Sequence, residues 1–359
     1  MEPDNACQMA YALVREGDRF FRERDMGRAR QSWEEAARLL LPMIDGPAAP
    51  LPSLCYESAS VSQWRLAVLA ERAGDDRSAA GLYRKALEID EKGLPPSRNT
   101  VYFARSAGRN YLTTGDYENA LGFAQRALAL RRTLEPDSLG VSRELNDVGR
   151  AHLARGEYDA ALEAFHEALR ICLMLDPDGD DAAASLNNLG QAYWKRGDPA
   201  QGLKYHLRAL YIDEERDPRS AETATSLNNV GLMYKMLRDL PTAMSYYKRA
   251  FEIDHGQDPD SLATARDFQN IAKVQAAYAE IFAAAGERSA AAEARTAEYD
   301  FMQHALAIAE RRAPGSPVYA DVLRGMGDVV SAQGDPAQAD DYYRRADEIT
   351  IRNPGQQNG

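Results

Sequence analysis

The sequence predicts an all-α fold, an α-solenoid of about eight helix-turn-helix hairpins. The main observation is a self-repeat with a constant step of 41 residues: the segment 185–190, Ser-Leu-Asn-Asn-Leu-Gly, returns as Ser-Leu-Asn-Asn-Val-Gly at 226–231. Composition agrees, because Ala, Leu, Arg and Glu are plentiful and all favour helix. A fixed period of this length is typical of stacked two-helix units that present a long concave surface.

Each predicted hairpin contains a helix A, a short turn and a helix B. Glycine in the turn suits a left-handed residue that ends helix A, and an acid suits the N-terminus of helix B. The turn pairs recur with steps of 50, 41, 41, 41, 41, 48 and 48 residues. They are Arg24-Asp25, Gly74-Asp75, Gly115-Asp116, Gly156-Glu157, Gly197-Asp198, Arg238-Asp239, Gly286-Glu287 and Gly334-Asp335.

Small residues recur at matching positions in both helices and would let the two helices of a hairpin approach closely. In helix A they are Gly17, Ala67, Gly108, Gly149, Gly190, Gly231 and Gly327. Together with an aromatic residue in helix A and a late Ala in helix B, this pattern resembles the tetratricopeptide repeat. The 41-residue step, the Leu-Asn-Asn-Leu-Gly start and the Asp-Pro linkers are similar to the longer repeats of kinesin light chains and of bacterial relatives.

The resemblance implies a right-handed solenoid over residues 1–352. The repeats are expected at 8–40, 58–92, 99–134, 138–175, 181–216, 220–255, 260–312 and 317–351. Four prolines between Pro42 and Pro52 predict a loop in the longer first linker. The final segment, 353–359, is rich in Pro, Gly, Gln and Asn and is expected to be disordered.

The seventh hairpin is expected to have elongated helices. Gly286 comes seven residues later than the 41-residue frame requires, and Ala305 shows that helix B has gained a further seven. Seven residues are close to two helical turns, so matched insertions keep a hairpin packed and lengthen its tip. The tip is either a harmless overhang or a docking element.

Composition narrows the class of partner and the compartment. The formal net charge of −12 argues against binding nucleic acid, which needs a basic face. No basic segment followed by an apolar run opens the chain, and no run is apolar enough for a membrane helix. Three distant cysteines, Cys7, Cys55 and Cys172, suggest reduced, buried thiols in a cytoplasmic protein.

The resemblance also implies which residues face a partner, because helix A lines the concave face in this repeat family. Repeated Asn side chains match an extended peptide backbone, since each offers a donor and an acceptor. Arginines would add bidentate recognition of carboxylates. The alternative is that the amides bridge or cap neighbouring helices. The expected groove residues are Arg105, Arg109, Arg143, Asn146, Arg150, Asn187, Asn188, Gln191, Lys195, Asn228, Asn229, Lys235, Gln269, Asn270 and Lys273.

Signals for catalysis are missing from the sequence. The five histidines share no metal-ligand spacing, and His206 occupies a packing position on helix B. No catalytic, cofactor-binding or metal-binding residue is therefore assigned, and no cofactor is expected.

The sequence favours a cytoplasmic adaptor or scaffold that holds an acidic or C-terminal peptide segment of a protein partner. No nucleic acid or membrane is expected as a partner, and self-association is left open. The first alternative is a peptide-sensing regulator of the quorum-sensing type. It is disfavoured because the first repeat begins near residue 8, which leaves no room for an output module before it. The second alternative is an enzyme.

Overall fold

The computed structural model describes residues 2–46 and 51–352, where sixteen helices follow one another without a strand. The predicted all-α fold is confirmed, and the predicted tail at 353–359 lies outside the described residues. The helices are α1 (Pro3–Arg22), α2 (Met26–Asp45), α3 (Ser53–Arg72), α4 (Asp76–Gly93), α5 (Arg98–Thr113), α6 (Tyr117–Leu134), α7 (Leu139–Ala154), α8 (Tyr158–Leu175), α9 (Asp180–Lys195), α10 (Pro199–Arg216), α11 (Ala221–Met236), α12 (Leu240–Gln257), α13 (Leu262–Ala284), α14 (Arg288–Arg312), α15 (Pro317–Ala332) and α16 (Pro336–Arg352).

The chain divides into two compact units. The first ends at Ile171 and holds α1 to α7 with most of α8, and the second begins at Cys172 and holds the remainder. In each unit, odd-numbered helices are the helix A of a hairpin and even-numbered helices are the helix B. Each unit is by itself a stack of helical hairpins.

The turns between helix A and helix B have the backbone that the sequence predicts. Glycines with positive φ end helix A in six hairpins, and Arg24 and Arg238 adopt the same left-handed conformation in the other two. The following aspartate then caps helix B: Oδ1 of Asp75 accepts a hydrogen bond from the backbone N–H of Ser78 at 3.0 Å. Aspartates cap α2, α4, α6, α10, α12 and α16 in this way, whereas Glu287 before α14 makes no side-chain cap.

The helix lengths alternate regularly from α4 to α12 and increase in the seventh hairpin. Helices α5, α7, α9, α11 and α15 have 16 residues, and α6, α8, α10 and α12 have 18. Helix α13 has 23 residues and α14 has 25, so each exceeds its counterparts by seven. Because seven residues make nearly two turns, the same helix faces stay in contact along the extended hairpin.

Glycine in helix A is required by an aromatic ring of helix B in the same hairpin. A Cβ atom on Gly231 would lie 2.8 Å from Cε1 of Tyr247, and one on Gly327 would lie 2.6 Å from Cε1 of Tyr343. Tyr247 is 1% exposed, so its ring has no room to move away. The small residues therefore set the close packing within hairpins.

Polar pairs close the joints between successive hairpins. Each pair joins a late residue of helix B to a residue of the next helix A that is 13 positions further along the chain. Arg131 and Glu144 form an ion pair at 3.3 Å, whereas Asp213 accepts a hydrogen bond from Ser226 at 2.6 Å. The pairs at successive 41-residue steps are Arg131–Glu144, Cys172–Ser185, Asp213–Ser226 and Asp254–Asp267.

The loop expected from Pro42 to Pro52 begins later than the sequence predicts. Helix α2 continues through Pro42 to Asp45, and part of the expected loop, 47–50, lies outside the described residues. Pro42 removes the donor for the carbonyl of Arg38, but Arg38 is exposed and water can satisfy that carbonyl. Burial of Leu40 and Ile44 on either side favours the continued helix.

The expectation of three reduced thiols is wrong for two of the cysteines. Cys7 of α1 and Cys55 of α3 form a disulfide with their Cα atoms 4.7 Å apart, whereas Cys172 is a buried thiol. A separation of 48 residues hides this proximity in the sequence. Stacking of the first two hairpins brings their helix A members side by side.

Candidate functional site

The fifteen predicted groove residues all lie on helix A members, on α5, α7, α9, α11 and α13. Five of them belong to the first unit and ten to the second. Their exposure differs, because Asn146, Asn228 and Gln269 are buried, whereas Arg109, Arg143, Lys195 and Lys273 are exposed. The remaining members are half-buried: Arg105, Arg150, Asn187, Asn188, Gln191, Asn229, Lys235 and Asn270.

In the first unit, an aspartate partly neutralises the predicted arginine cluster. Nε of Arg105 lies 3.4 Å from one carboxylate oxygen of Asp147, and Nη1 of Arg150 lies 3.3 Å from the other. Asp147 is 14% exposed at its side chain, so it is held between the two guanidinium groups. Arg109 lies next to this pair, since both line one small crevice between α5 and α7. The cluster therefore retains excess positive charge.

In the second unit, one asparagine per repeat is used for bridging helices; we call Asn187 and Asn228 the inner amides. Nδ2 of Asn187 donates to Oγ of Ser226 at 3.0 Å, and Nδ2 of Asn228 donates to Oδ1 of Asp267 at 2.6 Å. Each bond spans 39 residues and joins one helix A to the next. The bridging alternative thus describes what these two side chains do.

The next asparagine in each repeat lies nearer the surface; we call Asn229 and Asn270 the outer amides. Nδ2 of Asn270 donates to Oδ1 of Asn228 at 2.9 Å, and Nδ2 of Asn229 donates to Oδ1 of Asn187 at a longer 3.4 Å. Among the described residues, no donor is bonded to Oδ1 of either outer amide. The inner amides therefore orient the outer ones and leave their carbonyl oxygens available.

His206 supports the inner amide Asn187 from helix B of the same hairpin. Its Nδ1 lies 2.8 Å from Oδ1 of Asn187, which makes Nδ1 the donor, and its ring packs on Gly190. Burial lowers the pKa of His206 to about 4. The packing role that the sequence indicates for His206 is confirmed.

A pair of buried carboxyl groups lies next to the inner amide Asn228, and no pattern in the sequence indicates it. Asp267 is fully buried and Asp254 is 4% exposed, and the two carboxyl groups are close enough to affect each other's pKa. Burial, with Asp254 as a further cause, raises the pKa of Asp267 to about 7, and burial also raises the pKa of Asp254. Ionising both carboxyl groups together is therefore unfavourable, because neither charge would be solvated and the two would repel each other.

Two lysines of the predicted set share a cavity of about 480 Å³ among α11, α13, α14 and α15. Burial, with a smaller contribution from Lys273, lowers the pKa of Lys235. Lys195, in contrast, lies over the ring of Trp194 with its Nζ 5.0 Å from the ring centre. The structure therefore places Lys235 and Lys273 in the same cavity, whereas Lys195 lies outside it, against Trp194.

Neither a metal-ion site nor a membrane-spanning helix is found among the described residues. No group of three or more His, Cys, Asp or Glu side chains in the described ranges is placed to hold a metal ion. Within the same residues, every helix is too short or too polar to cross a bilayer.

Comparison with known proteins agrees with the hairpin geometry. The tetratricopeptide repeat family matches residues 102–174 and 181–254, which correspond to α5–α8 and α9–α12. No curated protein sequence matches the chain.

Several solved structures share the fold at low sequence identity. BtubC (BKLC) from P. vanneervenii is 21% identical, with a TM-score of 0.52 over 68% of this chain and 94% of that one. The apo form of the quorum sensor NprR from B. thuringiensis is 14% identical, with a TM-score of 0.63 over 95% and 87%. The Rap conjugation gene regulator of the plasmid pLS20, solved in complex with the Phr* peptide, is 15% identical, with a TM-score of 0.58 over 96% of each chain. Together with the helix pairs, turns and small-residue positions, these matches show that residues 102–174 and 181–254 are tetratricopeptide repeats and that the chain shares the α-solenoid fold of such proteins.

Proposed function

We propose that this chain is a protein-interaction adaptor whose second unit holds an extended peptide segment along α9, α11 and α13. The observation that carries the proposal is the pair of outer amides. Asn229 and Asn270 are fixed by the inner amides, are half-buried, and have carbonyl oxygens that accept no hydrogen bond from the described residues. An oriented amide of this kind suits the unpaired N–H groups of an extended backbone.

The spacing of the outer amides also suits an extended chain. They occupy equivalent positions on α11 and α13, and adjacent helices pack about 8–10 Å apart. An extended peptide advances about 3.3 Å per residue, so the two amides would meet backbone groups roughly three residues apart. A polar backbone contact at this interval holds a peptide while reading little of its sequence.

The charges on helix A favour an acidic partner. The chain as a whole carries −12, yet the arginine cluster of the first unit and the lysine pair of the second are both positive surfaces. We propose that each unit binds acidic or C-terminal peptide groups by its own cations. An adaptor needs no catalytic group. We propose that it acts in the cytoplasm. The disulfide between Cys7 and Cys55 means that this location no longer follows from reduced thiols.

The test is peptide selection with a matched pair of variants. A randomised, N-acetylated octapeptide library would be incubated with the whole chain, and retained peptides would be quantified by mass spectrometry. The double variant Asn229→Ala/Asn270→Ala should lose roughly fivefold to 150-fold in affinity, because two net hydrogen bonds at about 0.5–1.5 kcal/mol each are removed. The control Asn119→Ala/Gln338→Ala removes exposed amides from helix B and should bind as the unaltered chain does. Equal retention by both variants would overturn the role of the outer amides.

A peptide-sensing regulator is the second candidate. The fold is shared with the quorum sensor NprR and with a Rap regulator solved with the Phr* peptide, over 95% and 96% of this chain. A sensor must change state when its peptide binds, whereas an adaptor need not. Small-angle scattering on a peptide selected from the library separates the two: a reduced radius of gyration on binding favours the sensor, and an unchanged radius favours the adaptor.

A further inference from the structure

The elongated seventh hairpin forms one wall of a cavity that its shorter counterparts could not provide. The cavity has a volume of about 480 Å³ and lies among α11, α13, α14 and α15 of the second unit. Ile281 of α13 lines it from within the seven extra residues 278–284, Ala276 and Ala277 line it just before them, and the buried Met302 of α14 also contributes. Ile281 is 48% exposed, so the wall offers an apolar surface to a ligand.

Lys235 and Lys273 face this cavity without a carboxylate of their own. Among the described residues, no carboxylate oxygen lies within 4.0 Å of either ammonium group. In the same cavity Arg295 forms an ion pair with Glu298 at 2.7 Å. The fold therefore neutralises this cation, whereas the part of the chain that the structure describes provides no such partner for the two lysines. Two like charges placed together, one of them half-buried, oppose folding unless an anion joins them.

The repeat architecture does not require a lysine at either position. The residue 41 positions before Lys235 is Trp194, and the residue 41 positions before Lys273 is Leu232. Both of these counterparts occupy the same place on a helix A of ordinary length. The lysine pair is therefore a local feature of the surface between α11 and α13.

The charge balance of the cavity limits what it can accept. Its lining contains four cations against three carboxyl groups: Lys235, Arg238, Lys273 and Arg295 against Glu280, Glu298 and Asp328. The excess is a single positive charge. A ligand with one carboxylate is matched by this lining, whereas a polyanion would meet the acids on the far side.

We propose that the cavity anchors one carboxylate of a bound peptide between Lys235 and Lys273, with the adjoining apolar side chain against Ala277, Ile281 and Met302. The inference rests on the proposed function, because the anchored peptide is the one that the outer amides hold. Lys273 follows Asn270 by three residues, which is about one turn of α13, so both side chains lie on the same face. The cavity would thus fix one point of the peptide at the α13 end of its path.

The experiment compares three pools of the N-acetylated octapeptide library on the whole chain. One pool has a free C-terminal carboxylate and no Asp or Glu, the second is its C-terminal amide, and the third is an amide with one Asp or Glu at a variable position. We expect the first or the third pool to be retained at least about tenfold above the neutral second pool. Preference for the first pool identifies a terminal carboxylate as the group, and preference for the third identifies a side chain.

Two double variants test whether the cavity causes the preference for peptides that carry a carboxylate. Lys235→Met/Lys273→Met should abolish it, whereas Lys204→Met/Lys248→Met, which removes the same charge from exposed helix B positions, should retain it. Neutral and anionic pools retained equally, or a preference that survives Lys235→Met/Lys273→Met, would overturn this inference and the acidic group proposed for the second unit, while leaving peptide binding by the outer amides intact. If the unaltered chain retains no pool, the proposed function itself fails.

Discussion

Asn270 donates a hydrogen bond to Asn228 at 2.9 Å, and Asn228 in turn donates to Asp267 at 2.6 Å. The first bond joins a half-buried amide to a buried one, and the second joins the buried amide to a carboxyl group that is fully buried. The polar groups near the surface of α13 are therefore oriented by groups inside the joint between two hairpins. Substitutions at different points of this series of hydrogen bonds should therefore affect stability and peptide binding separately.

The inner and outer amides should respond in opposite ways to alanine. Asn228→Ala should lower the free energy of unfolding by about 1–3 kcal/mol, because Asp267 loses a buried donor. Asn229→Ala should change stability by less than about 0.5 kcal/mol and should weaken peptide retention, since its amide lies nearer the surface. Urea unfolding and library retention on the same samples measure both quantities. A stability loss in Asn229→Ala as large as that in Asn228→Ala would show that the outer amides only bridge helices.

The buried Asp254–Asp267 pair should make the second unit less stable as the pH rises. Burial raises the pKa of Asp267 from 3.8 to about 7, so between these values the folded chain binds more protons than the unfolded chain. The free energy of unfolding therefore contains a contribution that is fully present below about pH 4 and is lost as the pH rises through about 7. Urea midpoints measured across this range should record the decline.

A substitution that removes the titration tests the origin of this pH dependence. Asp267→Asn keeps an oxygen that can accept from Asn228 and removes one ionisable group, so it should flatten the decline and stabilise the chain at about pH 8. Asp300→Asn removes an exposed acid from α14 and should leave the decline unchanged. Retention of the full decline in Asp267→Asn would assign it to other groups.

The disulfide between Cys7 and Cys55 should stabilise the first hairpin against the second. The bond spans 48 residues, and the chain-entropy relation gives about 4 kcal/mol for a loop of this length. Reduction should therefore lower the melting temperature and increase hydrogen exchange in α1 and α2, with no change in α11 to α13, because repeats contact mainly their neighbours. The variant Cys7→Ser should melt like the reduced chain and be insensitive to reductant. An unaltered chain whose melting ignores reductant would contradict a stabilising role.

The periodic features of the fold could be predicted from the sequence because each of them repeats a local physical requirement. Gly156 marks a turn with positive φ, and Asp75 marks a helix N-cap, whatever the rest of the chain does. The positions of the helix A residues could be predicted in the same way, because the constant step of 41 residues sets the register from one repeat to the next. Arg24 and Arg238 could be recognised as turn residues only from that step, because neither residue type favours a left-handed backbone.

Contacts between hairpins could not be predicted, because they depend on which residues of successive repeats meet. The disulfide between Cys7 and Cys55 and the carboxyl pair Asp254–Asp267 both join different hairpins. The amide positions show the same limit: the sequence identified the row of asparagines, but the division into inner and outer amides depends on side-chain direction. Asn228 turns into the joint towards Asp267, whereas Asn229, its neighbour in the chain, does not.

The elongated seventh hairpin offers the last test, because its extra length can be removed without shifting the frame. Deleting residues 278–284 from α13 and 288–294 from α14 returns the helices to 16 and 18 residues. It leaves Gly286 seven residues after Ala272, as Gly156 follows Gly149. We expect helical circular dichroism to persist, since Ala305 then follows Gly286 by 12 residues, as Ala168 follows Gly156.

Peptide binding by this deletion variant distinguishes three roles for the tip. Loss of Glu280 and Ile281 removes one wall of the lysine cavity, so the preference for anionic pools should fall while contacts to the outer amides remain. If retention of all pools is abolished, and Asn229→Ala/Asn270→Ala has no effect, the tip is the docking element and the outer amides are not. If the deletion changes neither retention nor preference, the extra turns are an overhang, and the carboxylate must be held by Lys235 and Lys273 without the wall that α13 supplies.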